Sequence, residues 1–435
     1  MTTAAAWETY LRQARWFGGK GLGARIAGIS ALPWYTPDGT WPAVRSELAE
    51  IAYDDGRTEI YQLLVAYVPA GSAPAGLPVG RATLAGLGEV DIVDATTHPA
   101  AMAALVGALL ADPPAGMTWR DPGPVDAAAA MRLFTGEQSN TTVMVGETTL
   151  FKLFRKLEAG RNLDAEVLGA LSGSGITPDL YGLLSHDDYD LGLFCQRITG
   201  ITDGWVYATD ACAAGRDISA ECLQLGVELR DLHARLADSF GTATRPGEDL
   251  TADMVRRFAE AAEAVHELDE YRHAAQLLFS APSGQALATQ RVHGDFHLGQ
   301  VLHRSAPGGS PWVIIDFEGE PLKTLAERRE FDSVWRDVAG LLRSLDYARS
   351  AHADPDGHEA RQWCAAAREA FLDGYSGEHR AEPALLRAYE LDKAVYEVVY
   401  EVRNRPNWAH IPWRAVQDEA RRVSLNPPAP TDKER

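Results

Sequence analysis

Two stretches constrain this chain more than anything else in it: His293-Gly294-Asp295-Phe296-His297-Leu298-Gly299-Gln300 and Ile314-Ile315-Asp316-Phe317-Glu318-Gly319-Glu320. Between them, Val301-Leu302-His303 and Trp312-Val313-Ile314-Ile315 read as β runs flanking Pro307-Gly308-Gly309-Ser310-Pro311, a segment rich in turn formers. A hairpin of this kind carries Gln300 and Asp316 to one edge. ATP-dependent phosphoryl transfer needs an acid to receive the acceptor proton, an amide five residues later, and a second acid opening an Asp-Phe pair on the next strand. Asp295, Gln300 and Asp316 fill those places, with Asp295 as the catalytic residue and the other two as Mg2+ ligands. A lone Asp-Phe or His-Gly-Asp means little, and buried acids are often only hydrogen-bonded structural residues. The conjunction of strand, Asp-Phe and a loop Asp at 316 − 295 = 21 residues is what points to chemistry.

A chain of 435 residues is too long for one core and is expected to form two or three domains. Its 61 acids against 41 bases give a formal charge of −20, which argues against nucleic acid or an anionic membrane as partner. Small molecules are the expected partners, and a monomer the expected state. The start Met1-Thr2-Thr3-Ala4-Ala5-Ala6-Trp7-Glu8 has no basic segment before an apolar one, and no stretch approaches membrane-spanning length, so a cytoplasmic protein is expected. Cys195, Cys212, Cys222 and Cys364 lack metal or disulfide spacing and read as buried thiols.

Residues 1–90 offer a short helix from Trp7 to Trp16, a Gly-rich turn from Gly18 to Gly23, and strand runs at Leu48 to Tyr53 and Ile60 to Val68. The Gly-Gly-Lys run is not a phosphate loop, since no strand precedes it and Gly21, not Ser or Thr, follows Lys20. Pro69 to Gly88 reads as a loose connection, and a helix is expected from His98 to Ala111. Strands follow at Met131 to Phe134, Thr141 to Val145 and Thr149 to Phe154. The turn Gly136-Glu137-Gln138-Ser139-Asn140 has small and polar side chains that let backbone N–H groups reach phosphates, so Ser139, Asn140 and Thr141 are nucleotide candidates.

Lys152, between aromatics in a strand, is costly there without a partner or a ligand. Glu166 follows 166 − 152 = 14 residues later on a helix whose buried face is Leu163, Val167 and Leu171, so a Lys152–Glu166 pair that clamps phosphates is expected. The next strand, Leu191 to Ile198, ends where a two-lobed chain crosses between lobes, which places the backbone near Gln196 at the adenine edge. Beyond Asp203 the pattern is helical, with Leu225, Leu229, Leu232 and Leu236 at helix spacing and further helices at Met254 to Phe279 and Ala360 to Tyr375. His233 reads as a packed helix residue.

These pieces, in order, resemble the aminoglycoside-phosphotransferase-like kinases, and within them the bacterial maltokinases with their actinobacterial glucosamine-kinase relatives. The resemblance is carried by Arg15-Trp16-Phe17-Gly18-Gly19-Lys20, Gly136 to Thr141, Asp203-Gly204-Trp205, the His293 to Gln300 run, Ile315 to Pro321, Arg336-Asp337-Val338-Ala339-Gly340 and Tyr396 to Pro406. It implies an α+β, bilobal, eukaryotic-protein-kinase-like fold with a β-rich N-lobe and an α-helical C-lobe. Residues 1–90 would be an N-terminal cap, 91–198 an intermediate subdomain, and 199–435 the C-lobe with the acceptor pocket. It also implies a transferase using ATP and Mg2+. His-Gly-Asp and Gln300 depart from the eukaryotic pattern but are normal in sugar kinases. Glu318, where Gly follows Asp-Phe in that pattern, is either a further metal contact or a structural anchor.

A sugar pocket needs carboxylates for hydroxyls and an aromatic face for the ring. Lys393, Glu397 and Glu401 share one helix face, with Trp408 beyond the Pro406 break; the alternative is a salt-bridged helix surface. Glu397, Glu401, Trp408 and His297 are the acceptor candidates. Glu330-Phe331-Asp332-Ser333-Val334-Trp335 replaces the compact turn expected of maltokinases before Arg336-Asp337-Val338-Ala339-Gly340. Glucosamine, phosphorylated at its 6-hydroxyl, is therefore the expected acceptor and maltose, at its anomeric hydroxyl, the alternative. A nucleotide-binding regulator without catalysis is a third reading, but it predicts the loss of one of Lys152, Asp295, Gln300 or Asp316, and all four are present.

Overall fold

The structure is a computed structural model that describes residues 3–74, 78–120, 123–134, 140–305, 311–320, 323–377 and 383–425. It divides into two compact units, Met1–Gly173 with Pro178–Thr199, and Ser174–Thr177 with Gly200–Arg435.

The first unit opens with α1 (Thr3–Leu11), followed by the antiparallel strands β1 (Arg25–Trp34), β2 (Ala43–Ala52), β3 (Thr58–Pro69), β4 (Pro78–Leu84) and β5 (Gly88–Asp94) in the order β1-β2-β3-β5-β4. Central β3 is buried along nearly its whole length, as its run of Tyr, Leu, Val and Ala requires. Trp7 and Leu11 of α1 join Phe17, Tyr61 and Tyr67 in one core. The stretch from Pro69 to Gly88, expected as a loose connection, contains β4. As an edge strand it tolerates Pro78 at its start, and Gly86 and Gly88, both at positive φ, turn it back onto β5. The Gly18 to Gly23 segment is a series of turns leading into a strand, not a helix, so it has no phosphate-loop geometry.

After α2 (Pro99–Ala111) come β6 (Met117–Arg120), β7 (Met131–Leu133), β8 (Thr141–Val145), β9 (Thr149–Leu153), the short β10 (Lys156–Leu157), α3 (Leu163–Leu171), β11 (Leu180–His186) and β12 (Tyr189–Gln196). Six of these strands form a second sheet, β6-β11-β12-β9-β8-β7, while β10 pairs with β3 of the first. Arg155, just before β10, is 1% exposed. Its Nη2 meets Asp94 Oδ2 at 2.7 Å, its guanidinium lies 4.3 Å from the Trp16 ring centroid, and Tyr10 donates to the same Asp94. Trp16 thus serves a buried ion pair, where both charges are compensated.

The second unit starts with β13 (Ile201–Asp203), α4 (Gly204–Ala213), α5 (Ser219–Phe240), β14 (Thr242–Pro246), α6 (Gly247–Ala264), α7 (Arg272–Phe279) and β15 (Ala286–Gln290). Asp203 caps α4 by accepting from Val206 N. The single helix expected from Met254 to Phe279 is broken: Val265 is extended and a 3-10 turn covers His266–Tyr271, which resets the phase so that Leu268 and Phe279 both reach the core. Then follow β16 (Val301–Arg304), β17 (Trp312–Ile314), α8 (Leu325–Arg329), α9 (Trp335–Ala348), α10 (His358–Ser376), α11 (Pro383–Asn404) and α12 (His410–Leu425). The hairpin read from the sequence is present, with Val301 opposite Ile314 and His303 opposite Trp312. The four cysteines are buried free thiols, and burial pushes Cys195 up to about 12. Among the described residues no helix is long and apolar enough to cross a membrane.

Candidate active site

In the second unit, the loop from His293 to Gln300 is held in place by the segments around it. His293 Nδ1 accepts from Asp295 N at 3.4 Å, so its proton sits on Nε2, which donates to the Ile315 carbonyl at 3.0 Å. That bond ties the loop to the strand bearing Asp316. Asp337, fully buried at the start of α9, accepts from His293 N at 2.7 Å, from Gly294 N at 2.9 Å and from His233 Nε2 at 2.9 Å. Burial alone would raise the Asp337 pKa, but the His233 bond and the loop amides hold it below the ordinary value. His233 is therefore a packed residue with a purpose: Tyr375 donates to its Nδ1 at 2.8 Å and fixes the tautomer that serves Asp337.

Two glycines allow the close approaches. A Cβ on Gly340 would lie 2.5 Å from the Phe296 carbonyl oxygen, and one on Gly204 2.6 Å from that of Leu298. The Arg336 to Gly340 and Asp203 to Trp205 motifs are thus explained by what α9 and α4 must touch.

Gln300 N–H bonds the His297 carbonyl, and its side-chain Nε2 lies 3.1 Å from Asp316 Oδ2. Asp316 has φ +66°, a left-handed conformation that is uncommon outside glycine and is stored at functional positions. An amide and a carboxylate side by side are hard oxygen donors, the set that suits Mg2+. The Glu318 carbonyl accepts from Arg328 at 2.8 Å, which anchors its backbone.

Asp295 has a partner that the spacing of motifs did not announce. Lys393 Nζ on α11 lies 3.0 Å from Asp295 Oδ1 and 3.0 Å from Glu320 Oε1. Burial lowers and the two carboxylates raise the Lys393 pKa, and the carboxylates prevail, so it stays charged. His297 Nδ1 accepts from Gly299 N at 3.0 Å, so the proton is on Nε2, 3.9 Å from Asp295 Oδ2. Partial burial outweighs the pull of Asp295 and holds His297 below its ordinary pKa, neutral at pH 7.

Burial raises the Glu320 pKa, but Lys393, Arg336 and Lys323 together drive it far below the usual carboxylate range. A group depressed in the folded state contributes stability that is present above its unfolded value, about 4.3, and lost as pH falls below it. The melting temperature of the wild type is therefore expected to fall from pH 5 to pH 3 more steeply than that of Glu320→Gln. Parallel curves for the two proteins would contradict this assignment.

The other acceptor candidates go elsewhere. Glu397 takes Arg343 Nη2 at 2.8 Å, and Glu401, 2% exposed, takes Arg405 at 2.6 Å and the Tyr347 hydroxyl at 3.3 Å. Both carboxylates are spent on guanidinium groups, which compete better for them than a solvated hydroxyl. Trp408 stays in an aromatic cluster, with its ring centroid 6.2 Å from that of Trp205 and 6.3 Å from that of Tyr347. Of the shared helix face, only Lys393 reaches Asp295. Its one signal was its place one turn before Glu397.

In the first unit, Lys152 on β9 lies 3.0 Å from Asp164 Oδ2. Asp164 is 4% exposed on α3, two residues before the expected partner Glu166. Glu166, two residues on, lines a cavity of about 420 Å³ with Arg161 and Ser172. Asn140 accepts from Arg155 N and Thr141 from Arg155 Nε at 2.7 Å, so both support the buried arginine. Ser139 lies outside the described residues. Gln196 N–H donates to the Asp179 carbonyl at 2.8 Å, so that donor is already committed.

Residues 130–389 match the phosphotransferase enzyme family, and residues 10–97 match the maltokinase N-terminal cap domain. A glucosamine kinase of Streptacidiphilus jiangxiensis is 28% identical over 350 residues, 67% of this chain and 77% of that protein. One of Mycolicibacterium smegmatis is 28% identical over 337 residues, 66% and 78% of the two chains. A structure of glucosamine kinase in complex with glucosamine, ADP and inorganic phosphate superimposes with a TM-score of 0.67 at 21% identity, covering 98% of this chain and all of that one. The fold is thus the α+β kinase-like one, and with more than half of its length matched, the chain belongs to the phosphotransferase enzyme family.

Proposed function

We propose that this protein is an ATP- and Mg2+-dependent sugar kinase that phosphorylates glucosamine at its 6-hydroxyl. The observation that carries the chemistry is the grouping of Asp295, Gln300 and Asp316 on one loop and hairpin, with Lys393 against Asp295. Two relatives that are glucosamine kinases support the acceptor. In this reading residues 1–90 are a cap, 91–198 complete the nucleotide lobe, and 199–435 form the acceptor lobe.

Gln300 and Asp316 would hold the metal, which when bound neutralises phosphate charge. Lys152, kept in position by Asp164, fixes the phosphates of the nucleotide. Asp295 presents one oxygen to the acceptor hydroxyl while Lys393 occupies the other, so the carboxylate is oriented before the sugar arrives. It then takes the proton as the hydroxyl attacks the γ-phosphorus in line. His297, neutral and protonated on Nε2, is a donor toward the same place.

Maltose remains the second reading on two observations: the match to the maltokinase cap, and the commitment of Glu397 and Glu401 to arginines, which leaves neither to meet an ammonium group. ADP release with Mg2+-ATP over glucosamine, maltose, glucose and an aminoglycoside separates them. Glucosamine is expected to give kcat/KM at least about tenfold above every other acceptor. A maximum with maltose would overturn the acceptor and leave the chemistry standing.

A further inference from the structure

In the second unit, α9, α10, α11 and α12 line a cavity of about 290 Å³ that contains none of Asp295, Gln300, Asp316, Glu320 or Lys393. Six arginines and four carboxylates line it. Most of these charges are paired off: Arg343 with Glu397, Arg368 with Glu390 at 2.5 Å, Arg414 with Asp356 at 2.5 Å, and Arg422 with Glu419 at 2.7 Å. Two are left over. Arg349 and Arg361 make no ion pair among the described residues, and Arg349 Nε is buried without a hydrogen bond.

A buried guanidinium donor without a partner is costly unless something supplies the acceptor. Around this cavity six arginines meet four lining carboxylates, although the chain as a whole carries −20. Arg349, whose charge also acts on Asp346, and the exposed Arg361 together match the charge and the forked hydrogen bonding of a phosphate dianion. The volume lies at the small end for ligand sites, enough for a phosphate or a small phosphate monoester and too little for a nucleotide. Among the lining residues, Asp346 already holds Arg343 at 2.9 Å and Arg368 at 3.4 Å, which keeps those two side chains in place as walls.

We propose that this cavity is a binding site for a small phosphate-bearing anion, held by Arg349 and Arg361 and separate from the site of phosphoryl transfer. Isothermal titration with inorganic phosphate and, separately, with glucose 6-phosphate tests it and tells the free ion from the monoester. The wild type is expected to bind at least one of them saturably below about 10 mM, and Arg349→Gln with Arg361→Gln to weaken that binding at least about tenfold. Neither arginine has an ion pair to lose, and an unchanged melting temperature of the double variant shows that it folds. Asp316→Asn is expected to bind within about twofold of the wild type. No saturable binding of either probe would overturn the proposal. So would binding that survives in the arginine variant but disappears in Asp316→Asn, since the anion would then sit at the catalytic loop.

Discussion

Asp295→Asn is expected to lower kcat by about 10²- to 10⁴-fold, the usual contribution of a positioned general base, while leaving KM for ATP close to that of the wild type. The substitution is nearly isosteric. Its amide oxygen can still accept from Lys393, now at 3.0 Å from Oδ1, and Glu320 keeps its own 3.0 Å bond to the same ammonium group. What disappears is the basicity of the second oxygen, the one facing His297 at 3.9 Å. His297 does not take over the role: its Nδ1 is occupied by Gly299 N–H and its Nε2 carries the proton. A turnover within about threefold of the wild type, measured at saturating nucleotide and acceptor, would show that Asp295 is not the base.

Asp337→Ala is expected to cost the second unit about 3–5 kcal/mol, because it strips three buried donors of a shared carboxylate and leaves His233 without its anion. For a unit of this size that is a fall in melting temperature of roughly 6 °C or more, accompanied by loss of turnover as the loop bearing Asp295 is released. Calorimetry of the variant checks it. A melting temperature within about 1 °C of the wild type would mean that the loop is held by other contacts.

The sequence made the reactive loop and its hairpin legible because their signals are local. Asp295, Gln300 and Asp316 lie within 21 residues, and strand, turn and strand between them are written in apolar runs and prolines. The strands around Lys152 and the helices α5 and α10 were legible for the same reason, each being a period repeated along a short stretch. The misses are long-range. Lys393 is 98 residues from the carboxylate it bonds, Asp337 is 44 from the loop amide it anchors, and Arg155 is 61 from Asp94. Charge spacing on α11 showed that Lys393, Glu397 and Glu401 share a face, but it could not show that Arg343 and Arg405 would claim both glutamates. Likewise Gly204 and Gly340 looked like parts of motifs, while their reason lies in backbone atoms of a distant loop. β4 was missed because a short edge strand starting at Pro78 has the composition of a loop.

The most direct test of the central claim, transfer of the γ-phosphoryl group of ATP to a sugar hydroxyl, is the ³¹P NMR spectrum of a reaction containing the protein, Mg2+-ATP and glucosamine. Growth of a phosphomonoester resonance coupled to the C6 methylene protons, in step with ADP and absent with Asp295→Asn, is the expected result. ADP accompanied only by free inorganic phosphate, or no change in the nucleotide signals with any sugar, would contradict it.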